Sequence, residues 1–343
     1  MLTAKLGRTE LEINPLGFGG IPIQRISFEA ATELLEYAIN KGINFIDTAR
    51  LYGDSEAKIG QVIPKYRDQV VIATKAMSRD KAGMAAEIEE SLKNLKVNCI
   101  DIYQCHNVRS IEQLDQILSD DGAYAALLEA KAQGKIKFIG ITSHKTPILI
   151  EAIRRDKFDT VQVPFNIIEQ EPAKELFHLC KEKNIGVIIM KPLAGGALKD
   201  NAPASLKYIL NHPVSVVIPG MESKSQVDEN LSAVLNPTLT DEEARALQAE
   251  AESLGNRFCR KCDYCAPCPN GVDISFMFIL DAYYTRYNMP EWATNRYRSL
   301  KIDASNCVEC GQCEAKCPYE LPIIEMLKEV HKHMGKEVHE HIK

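Results

Sequence analysis

Short apolar runs alternate with amphipathic segments from about residue 16 to about residue 235. The first amphipathic segment follows Ser27, a good helix N-cap, and repeats apolar residues at helical spacing until Gly42. The apolar runs, which predict eight strands, are residues 16–19, 43–46, 70–73, 100–103, 137–139, 160–163, 187–189 and 214–218. Because a predicted helix follows each run, we expect parallel strands with helical crossovers.

Eight such units in about 235 residues predict an α/β fold of the (β/α)8 TIM-barrel type. Residues 2–13 predict a short N-terminal hairpin before the barrel. After residue 250 the composition shifts to cysteine, proline and aromatic residues. We therefore predict two domains, a barrel over 1–250 and a small, mainly helical domain over 251–343.

The composition is that of an ordinary globular protein. Of the 343 residues, 45% are hydrophobic and 26% are charged, and the net charge is −6. No basic stripe favours a nucleic-acid partner, and no apolar run has the length of a membrane span. The cysteines are clustered and not spread as in a secreted disulfide scaffold, which predicts a reducing, cytoplasmic location.

Eight of the eleven cysteines form two compact runs near the C-terminus. The second run has the Cys-x2-Cys-x2-Cys-x3-Cys-Pro spacing of bacterial [4Fe–4S] ligands, and the first is one residue shorter at its last step. Zinc is the alternative, but it usually takes two separated pairs. The candidate ligands are Cys259, Cys262, Cys265, Cys268, Cys307, Cys310, Cys313 and Cys317. In a two-cluster arrangement Cys317 would join the first run and Cys268 the second, and a single cluster is the alternative.

Four polar side chains follow consecutive predicted strands at the C-terminal ends, where barrel active sites lie. Asp47 and Tyr52 follow the second barrel strand, Lys75 the third and His106 the fourth. Taken singly, each has an ordinary structural explanation, such as a helix cap or a core histidine. Their occurrence at the same end of successive strands favours a shared active site.

The segments around these four positions resemble the aldo-keto reductase family. They are Asn44-Phe-Ile-Asp-Thr-Ala49, Tyr52-Gly-Asp-Ser-Glu56, Ile72-Ala-Thr-Lys75 and Asp101-Ile-Tyr-Gln-Cys-His106. The resemblance covers roughly residues 1–250, and the tail resembles the bacterial and archaeal branch with a C-terminal [4Fe–4S] ferredoxin-like domain. It implies reversible NAD(P)H-dependent reduction of a small-molecule carbonyl. Tyr52 would be the general acid, supported by the other three residues of the tetrad.

The resemblance also implies contacts to the nicotinamide cofactor. Thr142, Ser143 and Gln162 would hold the carboxamide, while Met190 replaces an aromatic ring that commonly stacks on the nicotinamide. Gly220 and Gln226 stand where cations often bind the 2′-phosphate, so NADP(H) is expected and NAD(H) is the alternative. The remaining candidate cofactor contacts are Gly19, Gly20, Lys191, Pro192, Leu193, Gly195, Glu229 and Asn230.

The two halves differ in the number of electrons that they handle. A nicotinamide gives up a hydride, whereas a [4Fe–4S] cluster normally accepts one electron, so a link between them calls for a flavin, of which the sequence has no strong signature. The clusters could be structural, could exchange electrons with a partner such as ferredoxin, or could sense oxygen or redox state. The rival to a carbonyl reductase is a ferredoxin-linked electron carrier or redox-sensing module whose barrel only binds nucleotide.

Overall fold

The computed structural model describes residues 3–253, 257, 259, 265–285, 288–317 and 320–335. The chain divides into two compact units. The first runs to Ala194 and continues over Leu198–Gln248, and the second comprises Gly195–Ala197 and the chain from Ala249. Among the described residues, no helix combines the length and apolarity that crossing a membrane requires.

The first unit is built on a closed sheet of eight parallel strands. The hairpin strands β1 (Ala4–Lys5) and β2 (Glu12–Ile13) pair with each other in antiparallel fashion. The barrel strands are β3 (Phe18–Gly19), β4 (Phe45–Asp47), β5 (Val71–Ala76), β6 (Ile100–Cys105), β7 (Ile136–Thr142), β8 (Thr160–Pro164), β9 (Gly186–Met190) and β10 (Val216–Val217), in sequence order around the sheet. Parallel bridges join Leu16 to Val217 and Gly19 to Gly220, which closes the sheet. The predicted (β/α)8 barrel with its hairpin is confirmed.

Helices connect the strands and cover the outside of the barrel. They are α1 (Phe28–Asn40), α2 (Ser55–Tyr66), α3 (Lys81–Leu95), α4 (Ile111–Leu118), α5 (Ala123–Ala132), α6 (Thr146–Arg154), α7 (Leu176–Glu182), α8 (Ala202–Leu210), α9 (Lys224–Leu235) and α10 (Asp241–Ser253). The Ser27 hydroxyl accepts a hydrogen bond from the Ala30 N–H, so Ser27 caps α1 as expected. The connection from β6 to β7 contains two helices, α4 and α5.

The interior of the barrel is apolar at one end and polar at the other. At the N-terminal ends of the strands, Phe45 and Val71 pack with Leu6 and Ile13 of the hairpin. Polar side chains are buried further along the same strands, toward their C-terminal ends. The hairpin therefore fills the end of the barrel opposite to the one where an active site is expected.

The second unit is helical within its described residues. Its helices are α11 (Ile274–Thr285), α12 (Pro290–Arg298), α13 (Gln312–Ala315) and α14 (Ile323–Met334). Leu280, Tyr297 and Leu327 belong to its apolar core. Cys313 is buried in this core, and Cys259, Cys265, Cys268, Cys307 and Cys317 pack against it.

Candidate active site and cysteine-lined cavity

Asp47 and Lys75 form a buried ion pair inside the barrel. Asp47 ends β4, and Lys75 is the penultimate residue of the neighbouring strand β5. Their side chains therefore meet, with Lys75 Nζ 2.5 Å from Asp47 Oδ1. The ammonium also donates to the Thr48 carbonyl at 2.8 Å. Burial lowers the pKa of Lys75 and raises the pKa of Asp47, while the opposite charge of each partner opposes both shifts.

Tyr52 and His106 complete a group of four. Lys75 Nζ lies 5.2 Å from the centre of the Tyr52 ring. The rings of Tyr52 and His106 meet edge to face, with centroids 6.0 Å apart at an interplanar angle of 88°. The structure thus brings together all four side chains that the sequence placed at strand ends.

His106 is held in its neutral form. Burial lowers the pKa of His106 well below its usual range. The charges that lower it further belong to Lys75, Arg79 and Arg109. Its Nδ1 atom is buried and has no hydrogen-bond partner among the described residues. A neutral imidazole carries one N–H donor and one acceptor, so this ring can donate a single hydrogen bond to a substrate or cofactor oxygen.

Two buried glutamines hold the Asp47 carboxylate. The Gln162 amide donates to Oδ1 at 3.3 Å, and the Gln104 amide donates to Oδ2 at 3.4 Å. The Oε1 atoms of both glutamines are buried without a partner among the described residues. Sequence reasoning named Gln162 and missed Gln104. The available signal was its place two residues before His106, because alternate residues of a strand face the same side.

The hydroxyls predicted to hold the carboxamide make contacts within the protein. Thr142 Oγ1 accepts from the Asn107 N–H at 2.7 Å. Ser143 Oγ donates to the Val108 carbonyl at 2.6 Å and accepts from the Lys145 N–H at 2.9 Å. These bonds fix the turns that follow β6 and β7. Contact of either hydroxyl with a nicotinamide stays a prediction.

The predicted contacts after β9 lie in a sharp turn. Met190 ends the strand, and Lys191 has a φ of 52°, in the left-handed region. The Asn166 amide donates to the Lys191 carbonyl at 3.1 Å, and the Ser205 hydroxyl donates to the Pro192 carbonyl at 2.7 Å. The remaining members of this set, Leu193 and Gly195, follow directly, and Gly195 has a φ of 71°.

Gly19 and Gly20 are packed against backbone. Their N–H groups donate to the carbonyls of Pro219 at 2.9 Å and Asp47 at 2.8 Å. A Cβ on Gly19 would lie 2.7 Å from the Ile218 oxygen, so a side chain has no room there. These contacts give both glycines a role in closing the barrel, and a contact with the cofactor stays a prediction.

The turn after β10 is held by polar contacts. The Gln226 side chain accepts from the Glu222 N–H at 2.8 Å, and Glu222 pairs with Arg25 at 3.0 Å. A Cβ on Gly220 would lie 2.5 Å from the Pro22 ring, so this turn packs closely on the segment after β3. Two further predicted cofactor contacts lie on α9, where Glu229 is exposed and Asn230 is buried.

The second unit contains a cavity lined by cysteines of both runs. Its cysteine lining comprises Cys265, Cys268, Cys307, Cys310 and Cys313. Within the described part of the chain, no three Cys, His, Asp or Glu side chains converge as ligands of a single metal ion. A [4Fe–4S] cage needs thiolates spread around a larger body, and the cysteine donor set fits such a cluster. Cys262 lies outside the described residues.

Comparison with known proteins assigns both units. Residues 15–204 match the model of the aldo/keto reductase family. The chain belongs to the aldo/keto reductase family. Residues 258–322 of this aldo/keto reductase match the 4Fe-4S dicluster domain, which confirms the predicted iron–sulfur domain.

The relatives of this aldo/keto reductase are oxidoreductases. The uncharacterized oxidoreductase YqkF of Bacillus subtilis (strain 168) is 28% identical over 305 residues, which cover 74% of this chain and 97% of that protein. L-galactose dehydrogenase of Arabidopsis thaliana is 31% identical over 280 residues, covering 67% of this chain and 86% of that protein. The holo structure of aldo-keto reductase AKR11C1 from Bacillus halodurans has a TM-score of 0.64 and 26% identity, covering 73% and 96% of the two chains. The chain is therefore an NAD(P)H-dependent oxidoreductase.

Proposed function

We propose that the barrel reduces a small-molecule carbonyl reversibly with NADP(H) and that Tyr52 protonates the developing alkoxide. The bound cofactor would supply the hydride. The observation that carries the proposal is the place of the Lys75 ammonium, which is bonded to Asp47 and lies 5.2 Å from the centre of the Tyr52 ring. A phenol beside such a cation is a stronger acid than tyrosine in water.

Lys75 would favour proton release in a site from which water is largely excluded. The phenolate that remains after proton transfer is stabilised by the ammonium, and this attraction is stronger in a buried site than in water. Asp47 keeps the lysine charged in spite of its burial. The neutral His106 ring would donate a hydrogen bond to the carbonyl oxygen and so orient it toward Tyr52.

The buried Gln162 Oε1 supports a nicotinamide site at the same end of the barrel. This acceptor has no partner among the described residues, and a carboxamide NH2 group would satisfy it. NAD(H) is the alternative because the cations near the predicted adenosine end are paired with carboxylates. Lys224 lies 3.4 Å from Glu33, and Arg25 lies 3.0 Å from Glu222. Comparison of kcat/KM with NADPH and NADH decides between the two.

The variant Tyr52→Phe tests the catalytic proposal. It removes the proton donor and keeps the ring, so reduction of an aldehyde should slow by at least about 100-fold. NADPH affinity, measured by quenching of protein fluorescence, should stay within about twofold of the wild-type value, because the variant keeps the aromatic ring and removes only the hydroxyl. Turnover close to wild type in this variant would remove Tyr52 from the mechanism.

For the C-terminal part, we propose a domain boundary near residue 250 and two [4Fe–4S] clusters. One would be held by Cys259, Cys262, Cys265 and Cys317, and the other by Cys307, Cys310, Cys313 and Cys268. The second set is supported by the cavity, because all four of its cysteines line it, although Cys265 of the first set lines it too. A single cluster is the alternative.

Exchange of electrons with a redox partner such as ferredoxin is a second candidate function of this domain. It is favoured by the exposure of Cys310, which places one edge of the cysteine-lined cavity near the surface of the domain. A reducing cytoplasm suits such a site. Anaerobic mixing with NADPH tests the link to the barrel: loss of visible cluster absorbance without added flavin supports exchange, and an unchanged spectrum argues for a structural or sensory role.

A further inference from the structure

Glu56 is a buried carboxylate beside the tetrad. It lies in the first turn of α2, four residues after Tyr52, and its side chain is 1% exposed. Its Oε1 accepts from the Thr74 hydroxyl at 2.8 Å. Its Oε2 accepts from Arg50 Nη1 at 2.5 Å and from the Asn94 amide at 3.4 Å. A buried carboxylate with three donors is satisfied, and removal of its charge would leave the donors facing a weaker acceptor.

The partners of Glu56 flank two residues of the tetrad. Thr74 directly precedes Lys75 in β5, and Arg50 lies two residues before Tyr52 in the loop that follows β4. The Arg50 N–H donates to the Lys75 carbonyl at 3.0 Å. One carboxylate therefore ties the loop that carries Tyr52 to the strand that carries Lys75.

The charge of Glu56 also acts on the Lys75 ammonium. Together with Asp47, it opposes the fall in the pKa of Lys75 that burial causes. Among the described residues, the Thr48 carbonyl, the Tyr52 ring and His106 also face this ammonium.

Further charged and polar groups act on Glu56 or its partners from α3 and β6. Glu90 on α3 pairs with Arg50, and its side chain is 56% exposed. Tyr103 on β6 lies within the electrostatic reach of Glu56 and of Glu87 on α3.

We propose that Glu56 is a positioning residue that fixes Tyr52 and Lys75 relative to each other and keeps the lysine charged during catalysis. This inference rests on the function proposed above for Tyr52. Glu56 contacts neither substrate nor cofactor in this proposal. It acts through its hydrogen bonds with Arg50 and Thr74 and through the attraction between its negative charge and the Lys75 ammonium.

The variants Glu56→Gln and Glu90→Gln form a matched pair. Both remove one negative charge beside Arg50, but only Glu56 reaches Thr74 and the neighbourhood of Lys75. Glu56→Gln should lower kcat by about tenfold or more, because small displacements of reacting groups reduce the rate strongly. The KM for NADPH should stay within about twofold of the wild-type value. Glu90→Gln should leave kcat unchanged.

The pH profile separates this role from a merely structural one. An anion nearby raises the pKa of an ammonium, so its removal lowers that pKa. In Glu56→Gln the loss of activity at alkaline pH should therefore begin at a lower pH than in wild type, whereas Glu90→Gln should keep the wild-type profile. A wild-type profile and kcat in Glu56→Gln would overturn the inference, as would the same shift in both variants.

A second variant covers the case in which Glu56→Gln does not fold, which thermal unfolding would reveal. Thr74→Val removes one contact of Glu56 without a change of charge, so it should lower kcat without shifting the profile. A wild-type kcat in Thr74→Val would then overturn the inference. If Tyr52→Phe is inactive and these variants are normal, the positioning role alone fails; if Tyr52→Phe is active, the function proposed for Tyr52 fails.

Discussion

Lys75 links strand β5 to the segment that carries Asp47 and Tyr52. It bonds to Asp47 and Thr48, and its ammonium lies 5.2 Å from the centre of the Tyr52 ring. The positions of the tetrad could be predicted from sequence because each residue follows a strand at its C-terminal end. Gln104 was missed since it stands inside a strand between Tyr103 and Cys105, both buried and apolar, and the three-dimensional fold shows that its amide reaches Asp47.

At the residue scale we predict that Gln104→Leu leaves the Asp47 carboxylate less well positioned. The substitution removes the donor to Oδ2 in a buried site, so the pKa of Asp47 should rise further and kcat/KM should fall by about tenfold, as for a hydrogen bond to a charged group. The measurement is kcat/KM for aldehyde reduction from pH 5 to 8. The control Gln61→Leu changes an exposed glutamine on α2 and should behave like wild type. Equal activity of the two variants would show that Gln104 has no part in positioning Asp47.

At the scale of elements, the alternation of apolar runs predicted the order of strands and helices but not every boundary. The strand β5 extends to Ala76, one residue past Lys75, at which the sequence pattern places the end of the strand. The sequence pattern does not separate α4 from α5, since the break between these helices depends on the C-cap at Ser119 and the N-cap at Gly122. In the second unit, α11 and α14 lie in stretches rich in apolar residues, whereas α12 is more polar and carries no such signal in the sequence.

Gly7 allows the hairpin to pack against the start of β9, and its substitution should affect stability without affecting catalysis. Its φ is 52°, and a Cβ would lie 2.3 Å from the Gly186 nitrogen. Gly7→Ala should therefore lower the free energy of unfolding by more than Gly134→Ala, whose φ of 73° is similarly strained but whose Cβ would meet nothing within 4 Å. Thermal unfolding measures the difference.

The kcat per folded molecule provides the second readout for these glycine variants. It should stay at the wild-type value in both, because the hairpin lies at the end of the barrel opposite to the tetrad. Equal stabilities of the two variants would contradict the packing argument, and a selective loss of kcat in Gly7→Ala would contradict the separation of the two ends.

At the scale of the whole molecule, an aldo/keto reductase barrel and an iron–sulfur domain share one chain. The cysteine spacing was sufficient to predict the type of cofactor, because cluster ligation requires thiolates at short, regular intervals. The division of ligands between clusters could not be derived in this way. It depends on which cysteines of the two runs meet in space, and the cavity is lined by Cys265 and Cys268 of the first run as well as by Cys307, Cys310 and Cys313 of the second.

Iron and sulfide analysis of anaerobically purified protein tests the two-cluster proposal. We expect about eight irons per chain, as two [4Fe–4S] clusters require. Cys268→Ser should lower the iron content because it removes a proposed ligand, whereas Cys99→Ser, in the barrel, should retain it. About four irons in the wild-type protein would favour a single cluster, and full iron with an unchanged spectrum in Cys268→Ser would remove this residue from the ligand set.

The central claim is that a buried ammonium next to Tyr52 makes the phenol an effective acid, and Lys75→Met tests it most directly. The measurement is the single-turnover rate of NADPH oxidation by an aldehyde at neutral pH, with NADPH binding measured in parallel. We expect the rate to fall by at least about 100-fold while NADPH still binds, because methionine keeps the bulk and removes the charge. A rate within a few-fold of wild type would contradict the claim.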